Sequence, residues 1–210
     1  ALPRTRASRC LRIYDNACSV GSFGTAGCGS AGASVRVHPG SLSYEGQLAR
    51  PSSQTAFYLT VLHNIAGGTD GTEEDLDAAR PGAKGDYTVL RYGVNFGMAF
   101  KSDWQTRLHI DAQYTEDALI QGEQFGIGGW NSVRGFFERE IASDRGYYGT
   151  LELYTPNIGP HIKWSGIDNL RLLAFYDVGS VTRNHSAAGD IADQSISSAG
   201  VGMRLGIQKN

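Results

Sequence analysis

The sequence predicts an all-β fold, an antiparallel transmembrane β-barrel, on three observations. Apolar and polar residues alternate over long stretches, those stretches match a tilted bilayer-crossing strand, and the connections between them alternate short with long. Trp104 to Tyr114 is the clearest stretch. Trp104, Thr106, Leu108, Ile110, Ala112 and Tyr114 share one parity, and Gln105, Arg107, His109, Asp111 and Gln113 share the other. Side chains alternate across a strand, so one face is apolar and the other carries ionisable groups.

The other strands follow in chain order. Weaker alternation fits 41–49, 55–64 and 146–156. Tyr92, Val94, Phe96, Met98 and Phe100 alternate with Arg91, Gly93, Asn95, Gly97 and Ala99. Leu170, Leu172, Ala174, Tyr176 and Val178 alternate with Arg171, Leu173, Phe175, Asp177 and Gly179, and Ala199, Val201, Met203, Leu205 and Ile207 with Gly200, Gly202, Arg204, Gly206 and Gln208. A soluble sandwich also has sheets with one apolar face. These runs exceed the roughly five or six residues usual in globular sheets. Their polar face is crowded with small and charged residues, as a watery lumen requires.

Aromatics near strand ends (Tyr87, Phe100, Trp104, Tyr114, Tyr154) fit interfacial girdles. Connections at 50–54 and 101–103 are short, those at 65–86, 116–145 and 180–194 are long, and 157–168 is intermediate on the short side. Outer-membrane barrels keep periplasmic turns short and external loops long, so Trp104–Tyr114 should run outward, 146–156 inward, 169–179 outward and 195–207 inward. No window shows helical periodicity, and the acidic run Glu73, Glu74, Asp75 and Asp77 reads as a solvated external loop.

The chain has 210 residues and a formal net charge of -2, which gives no support for a nucleic-acid partner. No stretch approaches the roughly 18 apolar residues of a membrane-spanning helix, as expected where only alternate residues meet lipid. No phosphate-binding GxxxxGK[ST] loop and no metal-ligand cluster is present, so no nucleotide, cofactor, metal or enzymatic activity is expected. Residues 1–40 differ from the rest: they hold Cys10, Cys18 and Cys28, four arginines by Arg12 and a small-residue run from Gly21 to Ser34. They read either as disordered or as sequence misjoined to the fold. The cysteine spacing is not zinc-like; one disulfide with a spare thiol, or an incidental origin, fits it. The start shows no signal peptide, although an outer-membrane protein needs one.

The segment Gly122–Pro156 contains Gly128-Gly129-Trp130-Asn131-Ser132-Val133-Arg134-Gly135-Phe136 followed by Glu138-Arg139, and 172–181 reads LLAFYDVGSV. Together with Asn64–Gly71 and Ser198–Gly202, these resemble the haemolysin activator/secretion family, the outer-membrane transporters of two-partner secretion, over roughly residues 41–210. The resemblance implies a barrel, with about seven strands here of an expected sixteen, preceded by periplasmic domains. It implies a secreted exoprotein as partner, outer-membrane lipid as surroundings and a Gram-negative outer membrane as location. It further implies that the motif loop folds back into the barrel and that Arg134 meets Asp177 on the inner wall. A guanidinium forks onto a carboxylate through paired charge-assisted hydrogen bonds, which fixes orientation as well as distance. Gly135 would let the loop tip bend and Gly128-Gly129 would let it fold back. Phe175 and Gly179 flank the aspartate, and Glu138 and Arg139 suggest a local ion pair.

Two other functions stand beside export. An outer-membrane barrel-assembly factor shares the Arg-Gly-Phe loop, but the preceding Ser-Val and following Glu-Arg favour the secretion branch. A soluble β-sheet ligand-binding domain would place a site at Arg107, His109 and Asp111, residues that polar lumen lining explains more simply. Measured against the family, residues 41–210 read as a partial, C-terminal barrel, a fragment whose unpaired edges hydrocarbon would not tolerate.

Overall fold

A computed structural model describes residues 35–162, 167–186 and 191–207, with the backbone of Arg12–Ile13 and Asn16–Cys18. The expected character of residues 1–34, including Cys10, Cys28 and the Cys18 side chain, lies outside the described residues. The strands are β1 Arg12–Ile13, β2 Asn16–Cys18, β3 Val35–Val37, β4 Pro39–Arg50, β5 Ser53–Asn64, β6 Thr88–Ala99, β7 Gln105–Tyr114, β8 Phe125–Ile127, β9 Ile141–Ser143, β10 Arg145–Tyr154, β11 Ile167–Thr182 and β12 Asp193–Ile207. Seven long strands form one antiparallel sheet in the order β4-β5-β6-β7-β10-β11-β12, with β1 pairing on the β4 edge. Apart from the β8–β9 hairpin inserted between β7 and β10, it is an up-and-down meander.

Register sets the two faces. Leu151 stands opposite Leu108 and Tyr176, while Thr150 stands opposite His109 and Asp177. The first set belongs to an exposed apolar face that also carries Leu42, Leu59, Tyr92, Leu172 and Val201, the last 85% exposed. The second belongs to the face covered by the β8–β9 loop, where Asp177 is 0% exposed. A one-residue slip would exchange these sets, so the alternation itself fixes the pairing.

Several elements differ from the sequence reading, each for a local reason. The acidic run forms a helix, α1 (Glu73–Ala79), instead of a plain solvated loop. Thr72 caps it reciprocally with Asp75, three acidic residues occupy its first turn, and Leu76 is buried beneath it. The hydrogen bonds from Thr72 hold the Asp75 carboxyl below the usual carboxylate range. Seven residues are too few for the period to show. The helix packs into a cluster of Val35, Val37, Leu62, Tyr87, Val89, Leu119 and Ile120 at the long-connection end. The first long strand, β4, begins at Pro39, two residues ahead of the alternation read from 41. Tyr87 and Tyr154 are buried, so they do not join the girdle pattern that exposed Phe100, Trp104 and Tyr114 fit. β11 continues to Thr182, which shortens the long connection at 180–194.

At the opposite end, the turn after β6 is fastened across the sheet. Asp103 accepts from Nη2 of Arg171 at 2.8 and 2.9 Å and from the Asn157 amide at 2.9 Å. The Arg171 hydrogen bond, then that of Asn157, keeps the Asp103 carboxyl below its ordinary range. Its contribution is therefore complete above the ordinary carboxylate range and is lost as the pH falls through the depressed value. Hydrogen exchange at the Asn157 amide should stay slow through mildly acidic pH and accelerate only below the usual aspartate range. Acceleration at higher pH would contradict the link.

Candidate functional site

The loop between β7 and β10 is a structured hairpin. β8 pairs with β9, and residues 128–140 form its tip. Gly128 and Gly129 have φ of 111° and 99°, the left-handed region, and a Cβ on Gly129 would collide with the Glu138 carboxylate. Ser132 locks this bend, accepting from the Gly128 amide at 2.9 Å and donating to its carbonyl at 2.8 Å. Ile127 and Val133 are fully buried, which presses the hairpin onto the inner face. Gly179 leaves the space: a Cβ there would lie 2.8 Å from Ile127 Cδ1. The Thr150 hydroxyl donates to the Ser132 carbonyl at 3.2 Å. Gly135, at φ 89°, turns the chain immediately after the arginine.

This geometry delivers Arg134 to the sheet. Its Nε donates to Asp177 Oδ2 at 2.7 Å, its Nη2 to Oδ1 at 2.7 Å, and its backbone amide to Oδ2 at 3.0 Å. Its Nη1 donates to Glu152 Oε1 at 2.7 Å, and the guanidinium carbon lies 3.6 Å from the centroid of the Phe175 ring. One side chain thus forks onto one carboxylate, bonds a second and stacks on an aromatic face, a combination lysine cannot reproduce. Asp177 sits inside a continuous strand, not at a strand end. Phe136 is half-buried beside the turn. The expected Glu138–Arg139 ion pair does not form: Arg139, itself at φ 53°, donates to the Gln124 carbonyl at 2.9 Å. The Arg139 guanidinium is committed to the strand-side backbone of the hairpin instead.

Glu152 was not singled out by the sequence reading, yet its parity was readable. It alternates with Tyr148, Thr150 and Tyr154, on the face opposite Leu151 and Leu153. A second missed feature is a buried centre at the long-connection end. Asp144, 0% exposed, pairs with Arg80 and accepts from the amides of Leu119 at 2.8 Å and Asn184 at 2.7 Å. Arg80 also donates to the carbonyls of Leu119 and Asn184. One carboxylate therefore ties together the β5–β6 connection, the segment between β7 and the hairpin, and the connection after β11.

Between the hairpin and the turns, the inner face carries Asp111, which accepts from the hydroxyls of Tyr58 at 2.8 Å and Tyr148 at 2.7 Å. His109 Nε2 lies 2.9 Å from the same carboxylate, so His109 and Asp111 form a structural network across β5, β7 and β10. Arg107 is not part of it: its guanidinium lies over Tyr154 at 5.2 Å. Gly93 makes room for the network, because a Cβ there would lie 2.5 Å from Tyr58 Cε1 and collide with Asp111. Gly93→Ala should destabilise the protein by about 1–3 kcal/mol. Gly97→Ala, in open space on the same strand, should be close to neutral in the same urea titration. Equal effects would contradict the packing argument.

Among the described residues no group of His, Cys, Asp and Glu side chains could hold a metal ion. No helix is long and apolar enough to cross a membrane, a fact that does not bear on strands. No curated protein and no solved structure matched the chain. The sequence pattern of the haemolysin secretion/activation proteins ShlB/FhaC/HecB matches residues 41–205, a span that includes the seven-stranded meander almost entirely and both partners of the Arg134–Asp177 pair. The chain therefore belongs to the haemolysin secretion/activation protein family ShlB/FhaC/HecB, the transporters of two-partner secretion.

Proposed function

We propose that the chain forms part of an outer-membrane pore of a Gram-negative bacterium through which an unfolded partner exoprotein is exported. In this reading the exposed apolar face meets lipid, the opposite face lines the lumen, and the hairpin is a plug-like element latched inside by Arg134. The single observation that carries it is the attachment of the hairpin to the inner face through Asp177 and Glu152. A loop that only reached into solvent would gain little from such a fork, since exposed ion pairs contribute about 0–1 kcal/mol. Here the acceptor is fully buried and the arginine stacks on Phe175, so the interaction fixes where the loop sits. Export assigns no catalytic step to any residue; the lumen supplies polarity and the latch supplies position.

The test is export itself. The gene carrying this chain, co-expressed with its partner exoprotein in a Gram-negative host lacking both, should release the partner into the medium. It should also place the chain in the outer-membrane fraction. Release of the partner without the gene, or a chain that stays soluble and folded without detergent, would overturn the reading.

A further inference from the structure

The inner face at the short-turn end holds a cationic cleft beside the latch. It has a volume of about 940 Å³ and lies between the hairpin tip and the turns following β4 and β6. Arg50, Arg107, Arg134, His109, Trp130 and Asn131 line it, and among the described residues Glu152 is its only carboxylate. That carboxylate is already engaged by Arg134 and by the Tyr154 hydroxyl. Arg107 from β7 and Arg204 from β12 both converge on the Tyr154 ring, at 5.2 and 4.9 Å from its centroid. Both are exposed, and among the described residues neither forms an ion pair with a carboxylate. Their neighbour Arg171 is neutralised by Asp103. The chain as a whole carries a net charge of -2, so this positive surplus is local.

Cation–π contacts at exposed sites contribute only about 0.5–1 kcal/mol, so both guanidiniums keep donors for an anionic partner. A carboxylate beside either guanidinium would gain charge-assisted hydrogen bonds. Trp130, 79% exposed at the hairpin tip, adds an aromatic surface to the same cleft as Arg107. We infer that this cleft and the inner face beside it bind extended polypeptide segments bearing acidic side chains, with Arg107 in the cleft wall and Arg204 at the Tyr154 ring beside it as the carboxylate contacts. The cleft sits at the short-turn end, where a polypeptide entering the lumen would first meet the wall. The identification of the occupant as the exported chain rests on the export reading.

The experiment uses the full chain refolded in detergent and three fluorescein-labelled peptides of equal length, alternating Gly with Glu, Gln or Lys. Fluorescence anisotropy at low salt should show the Glu peptide binding at least tenfold more tightly than the Gln peptide, with the Lys peptide weakest. The preference should shrink as salt is raised. Arg107→Gln with Arg204→Gln should remove most of the preference, whereas Arg107→Lys with Arg204→Lys should retain much of it. Lys84→Gln, at the other end of the molecule, should change nothing. Equal binding of the Glu and Gln peptides by the unaltered protein would overturn the inference. So would a preference that survives the Gln double variant, or one lost equally in the Gln and Lys double variants. Failure of the export reading is distinguishable: a chain that exports nothing yet prefers the Glu peptide contradicts export and leaves the cleft's specificity standing.

Discussion

Arg134→Ala is expected to abolish export of the partner while part of the protein still folds and inserts. The substitution leaves Asp177, fully buried, without the fork and Glu152 with only the Tyr154 hydroxyl. Removing one member of a buried ion pair costs about 3–5 kcal/mol, because the remaining charge is stranded. That energy falls on hairpin docking, since the strands keep their ladders. Arg134→Lys should fall between the two: it keeps the charge but loses the bidentate geometry and the stacking on Phe175. Partner protein in the medium and heat-modifiable migration of the transporter report export and folding separately. Normal export by Arg134→Ala would remove the latch from the mechanism.

Asp144→Ala carries the second large effect, through stability and not through the lumen. Its carboxylate holds Arg80 and the amides of Leu119 and Asn184, so its loss frees three connections at once and strands a buried guanidinium. A cost of about 3–5 kcal/mol is expected on the same reasoning. Arg80→Leu added to Asp144→Ala should recover part of it, because the stranded charge is then gone. Urea unfolding midpoints of the two variants test this. A change of less than about 0.5 kcal/mol for Asp144→Ala would show that the loops are held by the apolar cluster alone.

The sheet was legible because its signal has period two and repeats over long runs: the face assignment from Trp104 to Tyr114 is that of β7 residue by residue. Arg134 and Asp177 were legible only through the family resemblance, since nothing local to either residue points across 43 positions to the other. Glu152 lay within reach of parity alone. Asp144 did not: Arg80 is 64 residues away, and an aspartate just before a strand resembles any turn residue. The capped helix after Thr72 was hidden by its length, because seven residues complete barely two turns. Glu138 and Arg139 illustrate the opposite error, in which adjacency in sequence suggested a pair while Arg139 bonds the Gln124 carbonyl.

The central claim is that Arg134 and Asp177 act as one latch on the hairpin, and a double-mutant cycle tests it most directly. The measured quantity is the rate of tryptic cleavage after Arg139, an exposed site on the hairpin present in all four proteins. Arg134→Ala and Asp177→Ala should each speed cleavage strongly, and the double variant should be little faster than either. That corresponds to a coupling of about 2–3 kcal/mol. Effects that simply add, within about 0.5 kcal/mol, would show that the two residues hold the hairpin independently and would contradict the latch.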